Sequence, residues 1–193
     1  MPPSFSIKTK FSLHTFALGL LFLAVSAPAL SDQNDPRLDA LFEQLHVVED
    51  QQSGDRITDE IWEIWRDSGN DEINRLMREG VISMQTGRLH RAVRIFDRII
   101  ELAPEFAEGW NKRATVYYFL QEFEKSAADV RQTLQLEPRH FGATAGLGLI
   151  FLEVEYYENA LEAFERALDI NPHLTGPKYQ IERIQNLLLN DPA

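Results

Sequence analysis

From residue 36 onward apolar side chains recur every three or four positions, and short polar or glycine-bearing stretches interrupt them at intervals. That period belongs to amphipathic helices; strands alternate apolar and polar positions. After a polar lead at 32–36, in which Asn34 or Asp35 caps and Pro36 begins a helix, Leu38, Leu41, Phe42, Leu45 and Val48 make the first stripe. The run QQSGD at 51–55 predicts a break. A second helix then runs from about Ile57 or Asp59 to Asp67, with Ile61, Trp62 and Trp65 on one side, until Ser68, Gly69 and Asn70 stop it. Further helix pairs fill 73–106, 107–140 and 141–174. A last helix, opened by Thr175, Gly176 and Pro177, continues to Leu189 with Ile181, Ile184, Leu187 and Leu188 as its stripe.

The three middle pairs are copies of one unit. Pro104, Pro138 and Pro172 are spaced by 34 residues, a period that argues for a repeat array. In the clearest copy, Gly148, Ala160 and Ala167 are small where two helix backbones approach, and Leu147, Phe151 and Phe164 fill the space between. With Pro172, these residues resemble the tetratricopeptide repeat, and the resemblance covers 73–174 without a gap. It implies an all-α fold, a right-handed α-solenoid of antiparallel helix pairs, here with 175–189 as a C-terminal capping helix. In the first copy Gly80, Ala92, Phe96 and Pro104 match, Leu76 and Met84 stand for the first-helix aromatics, and Gly87 supplies the turn. The second keeps Trp110 and Tyr117, but has Arg113-Ala114 for Leu-Gly and Ser126, Val130 and Thr133 for Ala, Phe and Ala. Trp110, the largest group there, is expected in the core.

The first hairpin shares the phase. Phe42 lies 34 residues before Leu76 and Trp62 the same distance before Phe96, so 39–72 reads as a degenerate fourth repeat; the alternative is an unrelated hairpin whose phase agrees by chance. Either way it caps the array, because an end unit must hide one apolar face and show water the other. The TPR domain is thus 32–193.

Residues 1–31 differ in kind. Lys8 and Lys10 precede a nearly all-apolar run at 11–25, and SAPALS follows with small residues suited to signal peptidase. A secretory signal peptide is expected, with the mature terminus between Leu30 and Asp32 and a periplasmic destination; the alternative is a membrane anchor formed by 11–30. The full chain of 193 residues has a formal charge of −11, and removing the leader leaves 17 basic and 30 acidic side chains, a formal charge of −13. Such a surface repels duplex nucleic acid and anionic lipid. Absence of Cys excludes disulfides, zinc–thiolate sites and thiol catalysis.

No catalytic, cofactor or metal site is expected. His46, His90, His140 and His173 are scattered without ligand spacing, and each is expected at the surface or in packing, so that truncating His140 costs little. No phosphate-binding glycine motif enters a helix. Trp62 and Trp65 are expected to place at least one ring in the core, with ligand stacking as the alternative. What remains is binding. The family resemblance implies a concave groove lined by the inner face of each unit's first helix, which receives an extended segment or a helix of another protein. Stepping along those helices gives Asn74, Met77, Val81 and Gln85, then Glu108, Asn111, Thr115 and Tyr118, then Gly142, Ala145, Leu149 and Leu152. Leu149 and Leu152 meet either the last helix or a partner. Family members that hold acidic chaperone tails use Lys, Asn and Arg across adjacent first helices; only Asn111, Lys112 and Arg78 are available for that role, and the third unit offers none. The expected function is a non-enzymatic scaffold or assembly factor. The alternatives are a structural subunit that forms a homo-oligomer, and an enzyme dependent on a cofactor that the sequence does not announce.

Overall fold

The computed structural model describes residues 32–190; the segment expected to be a signal peptide lies outside the described residues. A short 3-10 turn leads into α1 (Arg37–Val47) and α2 (Gln51–Arg66). Three pairs follow: α3 (Asp71–Gln85) with α4 (Leu89–Leu102), α5 (Ala107–Phe119) with α6 (Phe123–Leu136), and α7 (Phe141–Glu153) with α8 (Tyr157–Ile170). The last helix is α9 (Thr175–Asn190). Among the described residues there are only helices and their connections, an α-solenoid of helix pairs as the repeat requires.

Each pair closes on a small residue facing a large one. A Cβ built on Gly80 lies 2.6 Å from the Phe96 ring, and one on Gly148 lies 2.7 Å from the Phe164 ring, so no larger residue fits without moving the facing helix. The middle pair solves the same problem with Ala114 and Val130, both buried, and adds a hydrogen bond from Ser126 Oγ to the Ala114 carbonyl at 2.8 Å. Phe96 and Phe164 are fully buried, and each contributes about 1.5–3 kcal/mol through the apolar area it hides.

The turn inside each pair repeats as faithfully as the packing. Gly87, Gln121 and Glu155 occupy equivalent positions and all have left-handed backbones, with φ of 70°, 61° and 61°. Gly87 pays no Cβ penalty there, whereas Gln121 and Glu155 do. Gln121→Gly and Glu155→Gly are therefore each expected to raise stability by about 1 kcal/mol at most. Urea unfolding midpoints check this, and a lower midpoint in either variant would contradict the strain argument.

Two expectations for the centre of the array change. Trp110 is only half-buried, its indole N–H donating to the Pro104 carbonyl at 2.8 Å with the Arg113 guanidinium 5.0 Å from its ring. The organising group is Arg113. Its Nη1 donates to Asp97 of α4 and its Nε and Nη2 to Asp129 of α6, all at 2.7 Å. The residue that breaks the small-and-apolar pattern thus ties three helices together by a forked, charge-assisted contact.

The first hairpin departs most. The polar run at 51–55 does not break a helix: it starts α2, with Asp50 accepting from the Ser53 N–H at 2.9 Å. Gly54 lies within that helix, where a Cβ would sit 2.1 Å from the His173 ring. Nor do α1 and α2 stack as a fourth repeat in the line of the array. Their core of Leu38, Phe42, Leu45, Ile57, Ile61 and Trp65 continues into Phe141, Ile170 and Leu174, at the joints between later repeats. The physical reason lies in the positions equivalent to Gly80 and Ala92. They are His46 and Thr58, so the two helices lack the small residues that close a repeat pair.

Ile184 of α9 is buried and Ile181 half-buried, and both pack with Leu149, Phe151, Leu152 and Phe164. Leu187 and Leu188, expected in the same stripe, are exposed. No described helix is long and apolar enough to cross a membrane.

Candidate partner-binding groove

The inner faces of α3, α5 and α7 form the groove, and the chain itself fills one end of it. Helix α2 lies over the start of α7 and over α5, and ends beside α3. Along its first half, Thr58 Oγ1 accepts from Asn171 Nδ2 at 2.8 Å, and Gln51 Nε2 donates to the His173 carbonyl at 2.6 Å. Trp62 lies on Gly142, where a Cβ would come within 2.6 Å of its ring. Trp65 stacks on His140, with centroids 4.2 Å apart and planes 9° from parallel. At its end, Glu63, Arg66 and Asp67 face Asn74, Met77, Arg78 and Val81 across an open cleft. Helix α1 sits along the same rim: Arg139 donates to Asp39 at 2.7 Å, and His173 Nε2 to the Leu45 carbonyl at 3.1 Å. The Gln33 side chain meets the backbone of Glu105 and Ala107.

Beneath the two indoles lies a buried polar cluster. Glu108 is fully buried, and its Oε2 accepts from Asn111 Nδ2 at 2.7 Å and pairs with His140 Nε2 at 3.1 Å. The Lys112 ammonium is 2.8 Å from its Oε1 and 5.3 Å from the Trp62 ring centroid. His140 Nδ1 accepts the Ala143 N–H at 3.0 Å and caps α7, so the proton that faces Glu108 is on Nε2. Burial, the largest single influence on Glu108, opposes its charge. Lys112 and the His140 hydrogen bond together outweigh it and hold the carboxyl down at about 2. His140 is therefore a buried, doubly bonded cap, and the expectation that its truncation costs little does not survive.

The groove positions read from sequence divide accordingly. Asn74 is turned to the 67–70 connection, accepting from Ser68 and donating to Asp67. Met77, Glu108 and Asn111 are buried. Gln85 is exposed at the far end, and Leu152 packs in the cluster with Ile181 and Ile184. Thr115, Tyr118, Ala145 and Leu149 come together, with Asn111 and Gly142 at one edge, around a cavity of about 240 Å3 between α5, α6 and α7. Its lining carries no charged side chain. Tyr118 spans one side, its hydroxyl donating to Glu153 at 2.9 Å; burial first and this carboxylate second push the phenol up to about 12. Leu149 belongs both to this cavity and to the cluster under α9, so the last helix covers only part of it.

Gly146 forms part of the cavity wall. It lies in mid-helix, where glycine costs about 1 kcal/mol relative to alanine, yet beyond its chain neighbours and its own helix backbone no described atom lies within 4 Å of the place its Cβ would take. Sequence reasoning did not find the self-filling of the groove, nor the roles of His140, Lys112 and Trp65 in it. The available signals were two glycines, Gly54 and Gly142, at helical positions outside the repeat's small-residue pattern.

The sequence model of the family described as tetratricopeptide repeat matches residues 111–174. A TPR repeat-containing protein of Rhizobium etli is 39% identical over 136 residues, which cover 70% of this chain and 67% of that protein. Anaphase-promoting complex subunit 3 of Schizosaccharomyces pombe is 30% identical over 83 residues, only 12% of its length. Among solved structures, the Sgt2 TPR domain from Aspergillus fumigatus superposes with a TM-score of 0.59 at 22% identity, covering 64% of this chain and 87% of that one. The first TPR of Spaghetti, bound to an HSP90 peptide, gives 0.58 at 19% identity and covers 61% and 93%. At these identities the structures speak for the fold.

Proposed function

We propose, from the premise that this chain belongs to the tetratricopeptide repeat family, that it is a non-enzymatic scaffold that holds a segment of another protein in the groove between α5 and α7. The observation that carries this is the open, uncharged cavity walled by Gly146. A helix interior that forgoes a side chain its own chain has room for leaves space for an apolar side chain from elsewhere. The Spaghetti domain holding an HSP90 peptide is a structural neighbour that takes a partner segment. The chemistry differs here: Asn111 and Lys112 are committed to Glu108, so they are not free to grip a terminal carboxylate.

The basic, apolar and small-residue segments of 1–31 support a second part of the proposal: the scaffold works outside the cytoplasm, on an envelope protein, after the leader is removed. Affinity capture of the chain from its own cells tests both parts. Gly146→Leu is expected to fold as well as wild type, because it replaces a poor helix former and meets open space, and to lose the captured partner. A variant that still captures every wild-type partner sinks the groove reading. The captured chain should begin between Leu30 and Asp32, and an intact Met1 would replace export by retention.

A further inference from the structure

The helix that fills the end of the groove is itself a description of what the groove accepts. Trp62 and Trp65, three residues apart on α2, occupy two adjacent seats: Gly142, which leaves room for the first ring, and His140, which stacks on the second. The floor under them is polar. Glu108 is wholly buried with Lys112 and Asn111 beside it, and the Trp65 indole N–H is buried without a partner. A buried donor left unpaired carries a desolvation cost that a fully satisfied core avoids, and here that donor is the Trp65 indole.

The hairpin is also built to leave as a unit. Leu38, Leu45, Ile57 and Ile61 pack between α1 and α2, so much of its core travels with it. Its tether to α3 is the short connection 67–70, which turns at Gly69 with φ of 66°.

We infer that α2 is a displaceable resident of the groove, and that the partner segment is an amphipathic helix presenting two aromatic side chains three residues apart, which takes over the Gly142 and His140 seats. This rests on the groove reading above and adds the partner's chemistry and its competition with the chain's own helix. Because the resident is tethered, a partner must overcome its high local concentration, and its apparent affinity falls by the fraction of molecules that are closed.

A labelled peptide of residues 50–67 is the probe. Fluorescence anisotropy should show it binding the full chain carrying Trp62→Ala and Trp65→Ala at least tenfold more tightly than wild type, since the variant has lost its resident anchors. Adding Gly142→Leu to that variant should abolish binding, and a peptide lacking both tryptophans should not bind. Hydrogen exchange on the same double variant should show lost protection confined to α1 and α2. Equal binding to wild type and double variant, no binding to either, or loss of protection spreading through α5–α8 would each overturn the inference, the last by making the hairpin part of one cooperative core. Such a failure, with Gly146→Leu still losing its partner, leaves the groove reading standing.

Discussion

Trp65→Ala is expected to lower the free energy that holds the first hairpin on the array by about 3–5 kcal/mol, the loss that accompanies truncation of a large, fully buried aromatic. The ring is 1% exposed and touches others on several sides: it stacks on His140, lies 4.9 Å from Phe141 and 6.0 Å from Phe42, and meets Trp62 edge-on at 5.4 Å. No neighbouring side chain can relax into its place without giving up one of these contacts. Trp110→Ala should cost distinctly less, because Trp110 is half-buried and covered on one face only by Arg113. Urea unfolding followed by fluorescence compares the two. Equal midpoints for Trp65→Ala and wild type would falsify the placement of α2 on α7.

The second large effect is an acid sensitivity centred on Glu108. Its carboxyl is held near 2 in the folded chain against an ordinary value of 4.5. A depressed carboxyl contributes stability that is fully present above about pH 4.5 and is lost as pH falls toward about 2, because the unfolded chain takes up the proton first. The shift corresponds to about 3 kcal/mol, at ~1.4 kcal/mol per unit. Other carboxylates, Asp35, Asp50 and Asp67 among them, are also lowered and add their own acid dependence, so the informative quantity is a difference. The gap in stability between wild type and Glu108→Gln should be widest at neutral pH and close progressively between pH 4.5 and 2. A gap that does not change with pH would show that Lys112 and His140 do not hold the carboxylate charged.

The array was legible because its packing is periodic and local. Gly80 faces Phe96 and Gly148 faces Phe164 within one pair, so a spacing of 34 residues announces both. The docking of the first hairpin has no such period: Asn171 reaches Thr58 across 113 residues and His173 reaches Leu45 across 128. Gly54 shows how the local reading misled. A glycine in a polar run ordinarily marks a loop, but here it is a helical position emptied for the His173 ring. The inner-face count along α5 and α7 brought Thr115, Tyr118, Ala145 and Leu149 to one cavity. It did not show that Asn74 turns to Ser68 and Asp67, nor that Glu108 is buried against Asn111, Lys112 and His140, because none of these contacts recurs at the repeat spacing. Arg113 looked like a flaw in packing because its partners, Asp97 and Asp129, stand on two other helices.

That arginine also sets where the array bends. Asp97 belongs to the first repeat and Arg113 to the second, so the bridge fixes the angle at the first joint with short, directional bonds. At the second joint the equivalent position is Leu147, which can slide against its neighbours without breaking a bond. The cavity between α5, α6 and α7 lies at this second joint. Compliance is thus concentrated beside the place where a side chain would enter, and a small opening of one joint widens the seat while the rest of the spiral keeps its pitch.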